Sequence, residues 1–501
     1  MTTKNSKLDN VASSSDAAAT LKRIEHDLLG SAEIPANVYW GIHTLRAMEN
    51  FPITGITVGH FPELVKSLVF VKQAAARANR RLGLLDAAKA NAIEWACELI
   101  LSEDRFRGQF VVDAVQGGAG TSTNMNANEV IANVALEKMG CLKGQYSSLH
   151  PNDDVNKSQS TNDVYPTALR LAIILTSDPL ISALDDLSFA FKAKAVEFSD
   201  VLKLGRTQLQ DAVPMTLGQE FDAYFATIKE DVTRLRETVS LFREVNLGAT
   251  AIGTGINSDA RYAALATEEL ARLSKQPLSP AANLMEATSD MGAFVLYSGV
   301  LKRVAVKLSK IANDLRLLSS GPRGGLGEIR LPPMQAGSSI MPGKVNPVIP
   351  EVVNQVAYLV IGYDLTVTFC AEAGQLQLNA FEPTIGYSVL SAIKQLTAAV
   401  TTFTTRCVSG IEADRDRCRA LLDDSTALVT ALGPALGYET SSRIAKRALA
   451  QGRRVADIVR EEGLLSEERL ETLLTAETMI APLRLLQSPN AAEWSVEKTI
   501  A

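Results

Sequence analysis

Phe221, Phe225, Ile228, Val232, Leu235, Val239 and Phe242 recur at spacings of 4, 3, 4, 3, 4 and 3, the seam of an amphipathic α-helix. Tyr297, Leu301, Val304, Leu308, Ile311, Leu315 and Leu318 repeat the same rhythm. Each pattern extends over 22 residues, about 33 Å at the helical rise. Isolated helices of that length are uncommon in globular domains, whereas long-helix bundles are built from them. Thr216 and Gln219 have the spacing of a capping box ahead of the first stripe. Residues 165–201 and 351–375 read as two more long helices. Tyr224, Val300 and Val306 widen the apolar faces beyond one seam. A wide face on a long helix predicts burial on several sides, hence a mainly α fold and a homo-oligomer.

At 501 residues, the chain is long enough for two or three domains. Residues 1–23 contain no apolar stretch of the kind a secretory signal needs and read as a mobile tail. Residues 24–158 form an expected N-terminal domain, loop-rich at first and helical from about Glu63. Residues 159–420 carry the long helices. From 421 to 501, shorter helical pieces separated by Gly433-Pro434, Gly437, Gly452 and Gly463 predict a small C-terminal helical domain. No window is apolar for the roughly 18 residues a membrane span requires. A net charge of −6 gives no bulk attraction to nucleic acid or anionic lipid. The five cysteines lack CxxC spacing and are odd in number, which favours a reducing cytoplasm over secretion and argues against zinc or iron–sulfur ligation.

The chemistry-bearing residues lie in irregular polar runs. Gly337-Ser338-Ser339-Ile340-Met341-Pro342-Gly343-Lys344-Val345-Asn346-Pro347 follows the glycine-rich 321–327 stretch, in a long connection between two helices. Such connections within compact proteins are usually functional, and this one reads as a mobile active-site loop. Gln116-Gly117-Gly118-Ala119-Gly120-Thr121-Ser122 permits close backbone approach to an anion, or serves as a capped turn. Neither GxxxxGK[ST] nor GxGxxG occurs. Ser160, Thr161 and Asn162 stand where a helix start would offer free N–H groups. Arg206 to Asp211 interrupts two helical runs, and a plain helix–helix turn reads equally well. No G-x-S-x-G elbow is present, and His26, His43, His60 and His150 lack the spacing of ligands or of a triad. Hydroxyls, carboxamides and one lysine point to a site that grips a small anion.

The GSSIMPGKVNP run resembles the signature of the aspartase/fumarase superfamily. The flanking Leu331–Ala336 and Val348–Gln355 segments resemble its aspartase branch. So do Asp27–Gly30, Tyr39–Arg46, Glu49–Phe51, Gln159–Thr167 and Arg206–Pro214. Together the likeness covers roughly residues 24–480. It implies a homotetramer whose central long-helix bundle forms one helical core, flanked in each subunit by two smaller domains. Each active site would draw on three subunits. The implied reaction is reversible deamination of L-aspartate to fumarate and ammonia, through an aci-carboxylate formed when a base removes a Cβ proton. In that reading Ser338 is the base, acting as an alkoxide. Thr121, Ser160, Thr161 and Ser339 hold the β-carboxylate, Lys344 and Asn346 the α-carboxylate, and Asn162 the amino group. Ser122, Thr207 and Gln208 complete the substrate-binding set. No cofactor is required, although a divalent cation such as Mg²⁺ held loosely by carboxylates would leave no recognisable spacing.

Gln208 departs from the fumarase pattern, which has histidine at this place, as some aspartases also do. Ammonia can leave without the general acid that hydroxide expulsion demands, so Gln208 favours amine elimination over hydration. Glu351, which would orient such a histidine, is left to pair with Lys344 or Gln208. His150 matches a secondary anion site of fumarases, outside the catalytic pocket. Fumarate hydratase is the competing expectation, followed by a lyase for another amino-acid-derived succinate.

Overall fold

The computed structural model describes residues 21–480. Most of the expected 1–23 tail lies outside the described residues, but Lys22–Asp27 is already a strand, paired antiparallel with Gly30–Pro35. Helices dominate the rest. The chain forms two compact units. One comprises the residues up to Leu175, with Phe242–Gly292 and Phe369–Tyr387. The other comprises Thr176–Leu241, Ala293–Thr368 and the chain from Ser388 onward. These borders differ from those read along the sequence, because chain segments return to units that they left earlier.

In the first unit, helices Pro62–Arg81 and Ala87–Ser102 pack with Thr121–Lys138. The last is buried almost throughout. Polar residues inside it therefore need partners within the protein. Asn133 donates to the Tyr39 carbonyl and the Tyr146 hydroxyl. Glu129 accepts from the backbone N–H groups of Gly41, His43 and Thr44 and from the Thr44 hydroxyl. Its carboxylate thus receives the orphan donors at the start of helix Ile42–Asn50.

The second unit holds the long helices. The first stripe lies on helix Leu217–Val239 as far as Val239, with Phe242 in the 3-10 turn Ser240–Arg243 that follows, and the helix is closed at its start by the Thr216–Gln219 capping box. The second lies on Gly292–Leu318, where all seven stripe residues are buried. Phe225 alone of the first stripe is only half-buried. Phe191 packs against Phe221, Tyr224 and Phe403, with ring centroids 6.1, 5.5 and 6.3 Å apart. Each such side chain contributes about 1.5–3 kcal/mol by leaving water. Asp231 receives Arg303 and Lys307 at 3.2 Å each, tying the two striped helices together.

Thr161–Glu197 and Val348–Glu372 are the other two long helices read from the sequence, and Glu382–Arg406 is a further one that the sequence reading did not single out. Thr161–Glu197 and Val348–Glu372 are both long and apolar enough on average to cross a membrane by length and composition, although charged residues interrupt both runs, so neither is the uninterrupted apolar stretch sought above. The most apolar window of the first is 72% buried in the protein, as expected of a core helix. That of the second is only 33% buried. Tyr358, Leu359, Ile361, Leu365 and Phe369 stand exposed along it.

Beyond residue 420, Leu422, Leu428, Leu432, Ile444, Ile458, Val459 and Leu470 form a small core of their own, which also takes in Leu204.

Candidate active site

Two helix starts meet in the first unit. Gly118, Ala119 and Gly120 all adopt positive φ, winding the chain into helix Thr121–Lys138. Thr121 turns its hydroxyl back to the Gly118 carbonyl at 2.7 Å. Ser122 is half-buried beside it. The second start is Ser160-Thr161-Asn162, where helix Thr161–Glu197 begins. Buried Asn124 joins them, donating from Nδ2 to Thr161 Oγ1 at 3.1 Å and to Asn156 Oδ1 at 3.2 Å. First-turn N–H groups and the positive ends of two helix dipoles are therefore held close together, an arrangement suited to an anion.

Gly120 has no substitute here. At φ +90° a Cβ would lie 2.4–2.8 Å from the ring atoms of Tyr165, itself buried. Gly120→Ala is expected to cost roughly 2–4 kcal/mol, from left-handed backbone strain plus overpacking. Thermal unfolding measures it; an unchanged midpoint would mean that the Tyr165 ring can move aside.

Asp163 fixes the second start from below. Its Oδ1 accepts the Ser160 N–H at 2.9 Å, and its Oδ2 accepts those of Gly248 and Thr250 at 3.0 Å each. Complete burial pushes its pKa up to about 6, against the pull of these N–H groups and of the Lys72 charge. Asn162 donates its side-chain N–H to the Ala251 carbonyl at 2.8 Å, and its own carbonyl receives Asn246 at 3.0 Å. His150 accepts the N–H groups of Asn152 and Asp153, capping the Pro151–Val155 turn.

The remaining candidates belong to the second unit. Ala336 and Val345 pair as an antiparallel bridge, Gly337 N–H donates to the Lys344 carbonyl at 2.8 Å, and Asn346 donates to the Gly337 carbonyl at 2.9 Å. This clasp makes 337–346 a closed loop. A Cβ on Gly337 would come within 2.6 Å of the Lys344 carbonyl oxygen, so the clasp closes only around glycine. Ser338 Oγ accepts the N–H groups of Ile340 and Met341 at 3.2 and 3.0 Å. Two backbone donors on one hydroxyl oxygen favour its anionic form. Ser339 and Lys344 are exposed, and Asn346 is half-buried. Among the described residues, no ion pair joins Glu351 to Lys344.

Thr207 and Gln208 are not on a helix–helix turn. They close an antiparallel hairpin, Leu202–Thr207 with Gln210–Thr216, in which Gln208 and Leu209 take φ of 53° and 61°. Hairpin turns of this hand usually declare themselves by Asn-Gly or Asp-Gly; Gln-Leu gives no such signal. The hairpin base is tied to Glu328, which is fully buried and receives Arg206 at 3.0 Å and Lys203 at 3.2 Å. Ser425 donates to Asp211 at 2.6 Å, bracing the turn from the C-terminal helices.

Lys72 and Asp163 in the first unit, and Glu328 in the second, are buried ionisable residues beside these candidates that sequence reading passed over. Lys72 was the most detectable: it falls on the apolar stripe of its helix, four residues after Leu68 and seven after Val65.

Comparison with known proteins places these features in a family. Residues 30–362 match the family described as Lyase, and residues 428–481 match the one described as Fumarase C C-terminus. Aspartate ammonia-lyase of Pseudomonas aeruginosa is 62% identical over 92% of this chain and 97% of that protein. Aspartate ammonia-lyase of Escherichia coli K12 is 52% identical over 92% and 96%. A fumarate lyase:delta crystallin from Brucella melitensis, solved with cobalt bound, superposes with a TM-score of 0.90 at 57% identity, covering 92% of this chain and all of that one. A class II fumarase from Schistosoma mansoni gives 0.86 at 32% identity, over 92% and 99%.

Proposed function

We infer, from the premise that this chain belongs to the aspartase/fumarase superfamily, that it is a carbon–nitrogen lyase, reversibly deaminating L-aspartate to fumarate and ammonia. The relatives at 52–62% identity carry this activity in their names.

Ser338 is the proposed base. The observation that carries the assignment is its oxygen, which accepts two backbone N–H groups within a loop clasped at Gly337 and Asn346. A serine hydroxyl is a poor base in water; these donors and the Lys344 cation stabilise the alkoxide. The alkoxide takes the Cβ proton, and the electron pair moves onto the β-carboxylate as an aci-carboxylate. Thr121, Ser160, Thr161 and Ser339 hold that group. Two helix starts joined through Asn124 support this role, because donors fixed in advance stabilise charge that exists only in the transition state. The pair then returns to form the double bond, and ammonia leaves from Cα. Lys344 and Asn346 hold the α-carboxylate, Asn162 the amino group, and Ser122, Thr207 and Gln208 line the substrate. The step moves a proton and an electron pair and needs no redox or prosthetic group; the role left for a divalent cation such as Mg²⁺ is that of an activator.

The chain works as a homotetramer whose sites combine residues of three subunits. Support comes from helix Val348–Glu372, whose exposed apolar face needs a cover. Its Asp364 argues against lipid as that cover, since it binds Ser298 and Lys302. A cytoplasmic location suits five cysteines held as free thiols.

Fumarate absorbs in the ultraviolet, and its appearance separates the two leading readings. L-Aspartate is expected to give it. If only L-malate does so, the chain is a hydratase.

A further inference from the structure

The ammonium of Lys72 is fully buried, yet among the described residues it has no carboxylate as a hydrogen-bond partner. It donates to two neutral amides, Asn156 Oδ1 at 2.8 Å and Gln159 Oε1 at 2.9 Å. Asn156 Oδ1 also receives Asn124 at 3.2 Å and Asn128 at 3.2 Å. Asn124 in turn donates to Thr161 Oγ1. A relay therefore runs from a buried cation to a hydroxyl at the helix start. The titratable groups in its field are Asp163, from helix Thr161–Glu197, and Cys97, from helix Ala87–Ser102. Asp163 is already committed to three backbone N–H groups. Helix Thr121–Lys138 presents only amides, Asn124 and Asn128, because its Glu129 is spent on Gly41, His43 and Thr44.

Burying a charge without a paired counter-ion is expensive, and a methionine would fill the same space without that cost. A charge kept under such terms calls for a compensating anion. The nearest place built for one is the pair of helix starts at the end of this relay.

We propose that Lys72 is a positioning residue of the carboxylate site: through Asn156 and Asn124 it fixes Thr161, and its charge reinforces the two helix starts as negative charge builds on the substrate. The proposal rests on the aspartate-lyase reading above. Burial lowers the Lys72 pKa to about 7, so this lysine gives up its proton more readily than an exposed one. Loss of its proton at higher pH weakens the field, and a bound dianion restores it.

The test compares wild type with Lys72→Met and Lys72→Arg, measuring kcat and KM for L-aspartate by fumarate absorbance, the pH profile of kcat/KM, and thermal unfolding. Lys72→Met is expected to lower kcat about 30-fold or more and to change KM by less than about fivefold, because the charge is needed most in the transition state. It should also remove an alkaline step from the kcat/KM profile. Lys72→Arg, which keeps the charge, should recover at least about threefold of kcat over Lys72→Met. A Lys72→Met enzyme with kcat within threefold of wild type, or with an unchanged pH profile, overturns the proposal. A merely structural lysine would lower the unfolding midpoint and leave the profile alone. Should Lys72→Met fail to fold, Asn156→Ala decides: kcat reduced about tenfold or more supports the relay, and an unaltered kcat rejects it. If wild type releases fumarate from L-malate and not from L-aspartate, the functional reading falls, and the same comparison on malate still judges Lys72.

Discussion

Ser338→Ala is expected to reduce turnover of L-aspartate by about 10³-fold or more while leaving the helical fold and its assembly intact. The side chain is half-buried on a loop, and its oxygen only accepts, from Ile340 and Met341. The clasp that shapes the loop runs through the Gly337 and Lys344 backbones and the Asn346 side chain, none of which depends on Ser338. Circular dichroism and sedimentation should therefore match wild type, with the loss confined to kcat. A variant retaining more than about a tenth of wild-type rate would reject Ser338 as the base, since no alternative oxygen sits between the same two N–H donors.

Asp163→Ala should have the next largest effect, and of a different kind. Its carboxylate takes three backbone N–H groups from two segments, Ser160 on one side and Gly248 and Thr250 on the other. Alanine leaves all three buried donors without an acceptor, at about 1–3 kcal/mol each before relaxation. Part of this is offset because a carboxylate with a raised pKa no longer has to be ionised in the interior. A net loss of roughly 2–5 kcal/mol in stability is expected. Freeing Ser160 also releases the start of the helix that carries Thr161 and Asn162, so kcat should fall about 100-fold or more. Chemical denaturation and steady-state kinetics measure both. A variant that is destabilised but fully active at low temperature would separate Asp163 from the site.

The long helices were legible because the stripes of Phe221–Val239 and Tyr297–Leu318 follow helical spacing, and Thr216 with Gln219 caps the first as expected. The hairpin around Gln208 was not, because its turn carries left-handed backbone at Gln208 and Leu209, two residues that rarely announce it. The helices read as starting near 165 and 351 begin earlier, at Thr161 and Val348; apolar periodicity marks the body of a helix better than its polar first turn. The same first turns carry Thr121, Thr161 and their neighbours, which is why candidate binding residues stood out as polar runs. What holds those runs in place did not. Lys72 and Glu328 lie far along the chain from the residues they steady, as Gly248 and Thr250 do from Asp163, and a single sequence gives no account of which segments meet.

The shared site is the central claim, and subunit mixing tests it most directly. Ser338→Ala and Thr161→Ala subunits, each nearly inactive alone, are unfolded together and reassembled in equal amounts. If the Ser338 loop and the Thr161 helix start of one site come from different subunits, both are intact in about a quarter of the sites by chance. Activity should then rise to about a quarter of the wild-type value. A mixture that forms hybrid tetramers yet stays as inactive as its parents would contradict the account.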